Sequence, residues 1–217
     1  MLDQDFILLV FNCNKYRYKA IKQKQTWLLD IPSNLIYFHV IGDPLLDQDY
    51  LFDFLENILY VKTDDDYISL PKKVIKAYNA IQDTFFFKFI FKTDDDQHVE
   101  QTQFFQTLMN VLSKKQPKIH YGGKIVDVKI PYLSEYYKLH PELPKDLKIL
   151  PTQYCNGRFY FLSSEAILSL TNVKNKTLIE KEYLEDYAIG LHLVSFLKDN
   201  ILNLTTDKYF VDNLFEL

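Results

Sequence analysis

The stretch FFFKFIFKTDDD, Phe85–Asp96, carries the strongest structural signal in the chain. Phe85–Phe91 is a nearly unbroken aromatic and branched run without alternation, which reads as one strand buried on both faces. Strands of that kind belong to sheets with helices packed on both sides. The run ends at three adjacent carboxylates, Asp94, Asp95 and Asp96, whose mutual repulsion is costly unless water or a cation screens it. Ligands of open α/β sheets gather beyond the carboxyl ends of strands, which is where this triplet falls. In an extended backbone Asp94 and Asp96 point to one side and Asp95 to the other. Two oxygen donors on one side suit Mg²⁺ or Mn²⁺, with phosphate oxygens and water completing the shell. The plainer alternative is a solvated acidic turn at a helix start, where carboxylates meet the positive end of the dipole.

Outward from this strand, the chain alternates strand and helix patterns. Upstream, Phe6–Cys13 reads as a buried strand, Tyr16–Leu29 as a helix, and Leu35–Ile41 as a second strand. Asp49–Asn57 reads as a short helix and Ile58–Lys62 as a short strand. Leu70, Val74, Ala77, Tyr78 and Ile81 mark one apolar helix face. Downstream, Phe104, Phe105, Leu108 and Leu112 mark another helix, HYGGKIVDVKI a strand, and RFYFLS a strand followed by a helix at Ser164–Leu170. Glu182–Leu197 reads as the last helix, and Pro141, Pro144 and Pro151 punctuate a loop. The succession predicts an α/β fold, Rossmann-like, with a mostly parallel central sheet. No low-complexity linker divides it, so residues 1–217 are expected to form one domain.

Composition narrows the function classes. Apolar residues make up 47% and charged residues 25%, an ordinary globular balance. Net charge is −4 and the chain has two arginines, Arg17 and Arg158, so no basic stripe offers itself to nucleic acid. Two cysteines, Cys13 and Cys155, make no disulfide framework, and neither has a neighbouring base pattern that would activate it. The apolar run near the N-terminus is too short for a membrane span and has acidic flanks, unlike a secretory signal. The expectation is therefore a cytoplasmic protein with no membrane segment. High Lys, Ile and Asn usage with little Arg and Gly hints at an AT-rich genome, viral or microbial.

KTDDD occurs a second time, at Lys62–Asp66, after the weaker strand ILYV and before DYISLPKKVIKAY. Here Lys73, near a helix N-terminus, is either a phosphate contact or a solvated lysine. Only the second copy, Asp94–Asp96, is expected to bind metal.

Five segments in order resemble the β-1,3-glycosyltransferases of the galactosyltransferase, N-acetylglucosaminyltransferase and Fringe group, the family 31 type. They are KQKQTWL at Lys22–Leu28, DDYISLPKK at Asp65–Lys73, FIFKTDDDQHV at Phe89–Val99, YCNGRFYFLSSEAI at Tyr154–Ile167 and LEDYAIGLHL at Leu184–Leu193. Lys24 stands where that family usually has arginine, Asn156 where it has serine, and Tyr187 where it has valine. The resemblance also explains the duplicated string, because its copies fall on two different family segments. It implies a GT-A fold, a UDP-sugar donor, a divalent cation (Mn²⁺, or Mg²⁺), and inverting transfer to a hydroxyl of a glycan or glycoprotein, in a β-1,3 linkage.

That chemistry needs two kinds of group. A cation on the leaving diphosphate needs ligands: Asp96 is the first choice and Asp94 the second, with Asp95 on the ribose and Lys24 and Lys73 helping to hold the nucleotide. The attacking hydroxyl needs a base, and Asp186 is the candidate, with Glu185 as runner-up. Without the resemblance, Glu185 and Asp186 read as the exposed acidic start of a helix. Asn156 and Gly157 suggest a tight turn that brings backbone amides to the donor. Tyr136, Tyr137 and Tyr154 are candidates to stack on sugar faces, although packing is the commoner use of tyrosine. His192 lies about 240° around a helix from Asp186 and does not share its site, and His98 reads as a helix-start residue. Asp207 and Asp212 are further carboxylates with no basis for choosing between them. Two rival functions stay open: a binding module that keeps the fold without turnover, and a metal-dependent phosphohydrolase releasing inorganic phosphate.

Overall fold

The computed structural model describes residues 1–115, 118–197 and 201–212, with residues 194–197 as backbone only. Ten of the described strands carry the architecture. They are β1 (Phe6–Phe11), β2 (Leu35–Gly42), β3 (Tyr50–Asp53), β4 (Ile58–Val61), β5 (Phe89–Asp94), β6 (Gln97–Val99), β7 (Tyr121–Val128), β8 (Thr152–Ser163), β9 (Ile201–Asn203) and β10 (Phe210–Asp212). The helices are α1 (Arg17–Lys24), α2 (Leu70–Thr84), α3 (Gln103–Lys114), α4 (Ser164–Thr171), α5 (Val173–Ile179) and α6 (Glu185–Leu197).

Eight strands form one sheet in the order β9-β7-β8-β5-β1-β2-β4-β3. β5, β1, β2 and β4 are parallel neighbours, and β9 runs parallel to β7. β8 is antiparallel to both β5 and β7, and β3 is antiparallel to β4. The sheet is thus mostly parallel with two reversed strands, as the alternating pattern predicts. Both faces are covered. Ile7, Leu9, Ile90 and Leu162 pack against apolar residues of α2, α4 and α6, including Tyr78, Ile167 and Ile189. On the other face Phe6, Leu8, Phe89, Phe91, Phe159 and Phe161 pack against Trp27, against Phe105 and Leu108 of α3, and against Phe210. Each such ring or branched chain contributes about 1.5–3 kcal/mol on burial. The phenylalanine-rich run is therefore the centre of the core. Among the described residues, no helix is long and apolar enough to cross a membrane.

Several boundaries differ from those read from the sequence. The Phe85–Phe91 run is two strands: Phe85–Phe86 pairs with Leu2–Asp3, and β5 starts at Phe89. The break occurs where the Lys88 and Phe89 amides both donate to the Asp5 carbonyl and the Lys88 ammonium pairs with Asp5. Asp49–Asn57 is a hairpin arm and turn instead of a helix. Asp53 Oδ1 accepts the amides of Leu55 and Glu56, and Asn57 takes a left-handed backbone (φ 51°) that returns the chain into β4. The polar stretch at α5 lacks an apolar period and is started by Asn172, whose side chain accepts from the Asn175 amide. β8 reaches back from RFYFLS to Thr152.

One glycine sets the layer spacing. A Cβ on Gly190 would collide with Tyr154 Cβ and lie 2.7 Å from the Gln153 carbonyl. Only glycine lets α6 lie this close to β8, and that contact fixes where the helix N-terminus sits.

His39 in β2 is fully buried, with no hydrogen-bond partner among the described residues on either ring nitrogen, its ring edge-on to Tyr37. Burial, reinforced by Lys24, lowers its pKa from 6.5 to about 3. Between those values the unfolded chain binds a proton that the folded chain refuses. This contribution to stability is therefore full above the unfolded pKa and falls as the pH drops toward the folded one. His39→Leu should remove about 3 kcal/mol of the stability lost between neutral pH and about pH 4.5. Urea unfolding of both proteins at the two pH values tests this. Equal losses in variant and wild type would contradict it.

Candidate active site

The parallel strands deliver their carboxyl ends to one edge of the sheet. Phe11 of β1 is in register with Asp94 of β5 on one side and Val40 of β2 on the other, and the acidic turn Asp64–Asp66 follows β4. A cleft of about 620 Å³ opens along this edge. Its walls include Asp94, Asp95 and Asp96, the loop after β1 (Asn12, Cys13), Asp65 and Lys73, and Gly157, Glu185 and Asp186. Aromatic residues that also line it include Tyr16, Tyr67, Tyr132, Tyr136, Tyr154 and His140.

Three lysine–aspartate pairs shape the cleft. Lys73, 3% exposed, reaches Asp65 Oδ1 at 2.5 Å and the Asn12 carbonyl at 3.0 Å. Asp65 also accepts the amides of Gly42 (2.8 Å) and Asn14 (2.6 Å), so this one carboxylate ties the loops after β1, β2 and β4 together. Lys19 of α1 pairs with Asp95 at 3.1 Å. Lys92, 1% exposed inside β5, pairs with Asp94 Oδ1 at 2.8 Å and Glu185 Oε2 at 3.1 Å and donates to the Gly157 carbonyl at 2.9 Å. Burial opposes the Lys92 charge, but Asp94 and Glu185 outweigh it and hold the ammonium protonated well above the usual lysine range.

The triplet is not extended throughout. β5 ends at Asp94, and Asp95 and Asp96 form a turn into β6. Asp94 still lies on the Lys92 face of the strand, Asp95 turns to Lys19, and Asp96 Oδ1 accepts from the Gln97 side chain at 2.9 Å. Burial pushes the Asp94 carboxyl up to about 6, with Lys92 opposing and Asp96 adding to the rise. Asp95 is likewise pushed up to about 6 by burial, against the pull of Lys19.

Asp186 opens α6. Its Oδ2 accepts the Gly157 amide at 3.0 Å, and its Oδ1 accepts the Tyr187 amide at 2.8 Å. Burial raises its pKa, with Lys92 the main opposing influence. Glu185, one residue earlier, is 4% exposed and committed elsewhere: it takes Lys92 on one oxygen and the Tyr160 hydroxyl on the other.

Of the residues proposed from the sequence, Asp94, Asp95, Asp96, Lys73, Gly157, Glu185 and Asp186 come together at this cleft. Lys24 and Asn156 are not among its lining residues. Lys24 binds Glu56 by both its carbonyl and its carboxylate, while Lys19, five positions earlier, faces the triplet. Asn156 Oδ1 accepts the Arg158 amide within its own segment. The expected Asn156–Gly157 turn is instead an irregularity within β8, between Cys155 and Tyr160, and no glycine has a positive φ among the described residues. Lys73 is enclosed by Asp65 and Asn12, so it braces the wall. Tyr136 and Tyr154 line the cleft, whereas Tyr137 packs in a satellite cluster around Leu143 and Ile149. His192 stays outside, its Nε2 3.9 Å from Glu182, and His98 lies in β6. Asp207 and Asp212 are both held by Arg158, and Asp212 accepts from the same Gln97 amide that binds Asp96. Cys13 is at the cleft with its thiol raised by burial, and Cys155 is buried and pushed up to about 12, so neither is an activated nucleophile.

Three features escaped the sequence reading. Lys92 was visible as a charge inside an apolar strand, two residues before Asp94 and so on the same face. The Lys19–Asp95 pair joins positions too distant in sequence for any spacing rule to link. The stack of His140 on Tyr67 (3.6 Å between ring centres, 10° between planes) joins the Pro-rich loop to the first acidic turn.

Among the described residues, no three His, Cys, Asp or Glu side chains form a ready-made metal cage. Asp94 and Asp96 are nonetheless hard oxygen donors whose repulsion contributes to the raised Asp94 pKa. One or two carboxylates plus substrate phosphates is how Mg²⁺-type ions are commonly held. The donor set fits an ion shared with a diphosphate and does not fit a closed protein site.

The chain belongs to the galactosyltransferase family, whose sequence model matches residues 21–198. This bears out the resemblance carried by the five segments. With the α/β sheet and its reversed β8, it gives the chain a GT-A glycosyltransferase fold. No curated protein matches the chain in sequence. Solved structures similar to it include the glycosyltransferase GlyE of Streptococcus pneumoniae TIGR4, with 11% identity, 95% of this chain and 46% of that chain covered, and a TM-score of 0.48. Mouse xyloside xylosyltransferase 1 in its apo form shows 11% identity, 94% and 86% coverage, and a TM-score of 0.44. A glycosyltransferase involved in glycosylation of the major capsid of PBCV-1 shows 12% identity, 98% and 94% coverage, and a TM-score of 0.45. The chain spans less than half of GlyE.

Lys73→Met should leave Asp65 without its buried counter-charge and destabilise the fold by about 3 kcal/mol. The double variant Lys73→Met/Asp65→Asn should lose less than Lys73→Met alone. Denaturant melts of the three proteins decide this, and a single variant as stable as wild type would show that the pair does not brace the loops.

Proposed function

We propose that the cleft is the active site of an inverting, cation-dependent glycosyltransferase. It moves a hexose or N-acetylhexosamine from a UDP-sugar to a hydroxyl of a glycan or glycoprotein acceptor, forming a β-1,3 linkage. The observation that carries this reading is one cleft, in a chain of this family, with the strand-end carboxylates Asp94 and Asp96 and the helix-start carboxylate Asp186 along its walls.

The divisions of labour follow from the surroundings of each group. Asp94 and Asp96 would hold Mn²⁺ or Mg²⁺, which when bound would neutralise charge on the leaving diphosphate. Asp186 is the base. Its two oxygens are aimed by the Gly157 and Tyr187 amides, and each carboxylate oxygen keeps a further lone pair for an incoming hydroxyl. Burial lifts its basicity, which favours taking a proton near neutral pH. Glu185 is unsuited to that task because both of its oxygens are taken. Asp95 stays with Lys19 at the cleft wall; in this reading it meets the ribose. The tyrosines that line the cleft supply flat apolar faces of the kind on which sugar rings stack.

Calorimetry with UDP tests the donor end. UDP should bind far more tightly with Mn²⁺ than without it, and Asp94→Ala/Asp96→Ala should abolish the difference. Equal binding by that variant would remove the two aspartates from the donor site. At the acceptor end, Asp186→Asn should keep UDP binding and lower transfer by about 10³-fold; undiminished transfer would exclude Asp186 as the base. Binding of UDP without turnover of any UDP-sugar would leave the binding-module reading. Release of inorganic phosphate would point to hydrolysis.

A further inference from the structure

Lys92 is an unusual residue for the middle of a sheet. Its ammonium has three protons, and three acceptors surround it: Asp94 Oδ1, Glu185 Oε2 and the Gly157 carbonyl, all within 3.1 Å. At 1% exposure, with its donors all used, it cannot also bind a substrate phosphate. Stability alone does not call for it. Replacing a buried ion pair by apolar groups of similar volume is often neutral or stabilising, because desolvating the charges costs several kcal/mol.

The acceptors give a reason for the charge. One is the end of β5 that bears the acidic triplet. Another is Gly157, whose own amide holds Asp186 Oδ2 at 3.0 Å. The third, Glu185, is fixed from behind: its other oxygen takes the Tyr160 hydroxyl, which is 2.8 Å from the Tyr78 hydroxyl of α2. Burial keeps both phenols neutral, so Tyr160 remains a donor to Glu185. The result is a buried chain, Tyr78–Tyr160–Glu185–Lys92–Asp94, running from a core helix to the cleft. Lys92 is also the main favourable charge for Asp94, Glu185 and Asp186 alike.

We propose that Lys92 is a positioning residue for the transfer reaction. It is a fixed internal cation that touches neither donor nor acceptor. It holds Asp94 directly, and it holds Asp186 through Gly157, so that the donor end and the base end of the cleft keep one geometry. This role rests on the reading of the cleft as a transferase site. It also assigns Glu185 and Tyr160 as the support that aims Lys92.

The test compares the full-length wild type, Lys92→Met, and Lys92→Met/Glu185→Gln, in thermal melts, UDP calorimetry with Mn²⁺, and steady-state kinetics. The donor is a UDP-sugar that the wild type turns over. Lys92→Met leaves buried carboxylates uncompensated and should lower both Tm and kcat. The double variant removes both charges of the inner pair and should recover most of the lost Tm. Its kcat should stay about 100-fold down, and its UDP affinity about tenfold down, because Asp94 and Gly157 still lack their anchor. Should Lys92→Met fail to fold, the double variant carries the test against wild type. A folded double variant with kcat and UDP affinity close to wild type would overturn the positioning role alone, reducing Lys92 to a counter-charge for Glu185. A wild type that turns over no UDP-sugar would overturn the reading of the cleft, and this role with it.

Discussion

The geometry of the cleft is organised around the ammonium of Lys92, held between Asp94 and Glu185. It joins β5, β8 and the N-terminus of α6, three elements distant in sequence, at a point closed to water. An unpaired charge at this depth would cost several kcal/mol, so the position is tolerable only when all three partners are in place. Folding the core and assembling the cleft are therefore coupled. The face of β5 that carries Ile90 into the core also carries Lys92 and Asp94 to the cleft edge. The opposite face carries Phe89 and Phe91 into the second core layer.

Around this joint the protein uses two different devices to place carboxylates. Asp65 is held by a lysine and two backbone amides and serves as a knot between loops. Asp186 is held by two backbone amides, with no lysine among the described residues in direct contact, and it remains at the cleft wall. The duplicated KTDDD string illustrates the same division. In the first copy Asp65 ties loops together at the cleft wall and Asp66 caps a turn by accepting the Ser69 amide, while the second copy sets Asp94 at the end of a central strand and turns Asp95 and Asp96 into β6. Identical sequence takes on different work because one copy follows a short edge-side strand and the other a central one.

Much of this was legible in the sequence, for physical reasons. A run of phenylalanines without alternation can be satisfied only by burial on both faces, and that placed β5 at the centre of a sheet with helices on both sides. The acidic triplet after it marked the cleft edge, and the ordered segments from Lys22 to Leu193 marked the family. What stayed hidden depends on contacts between distant positions or on turn chemistry. Asp49–Asn57 has few cues to distinguish a helix from a hairpin until Asp53 caps the turn and Asn57 turns left-handed. Lys24 and Lys19 lie on one short helix, and only the packed helix reveals which of them faces Asp95. Gly190 could be seen as part of a motif, but its reason, contact of α6 with Tyr154, is tertiary.

The proposal that a cation and a diphosphate meet at Asp94 and Asp96 is most directly tested by diffraction. Crystals soaked with Mn²⁺ and UDP should show an anomalous manganese peak within coordination distance of these two carboxylates, with the diphosphate on its far side and Asp186 facing the space beyond. Nucleotide density elsewhere on the molecule, with only solvent beside Asp94 and Asp96, would contradict the account.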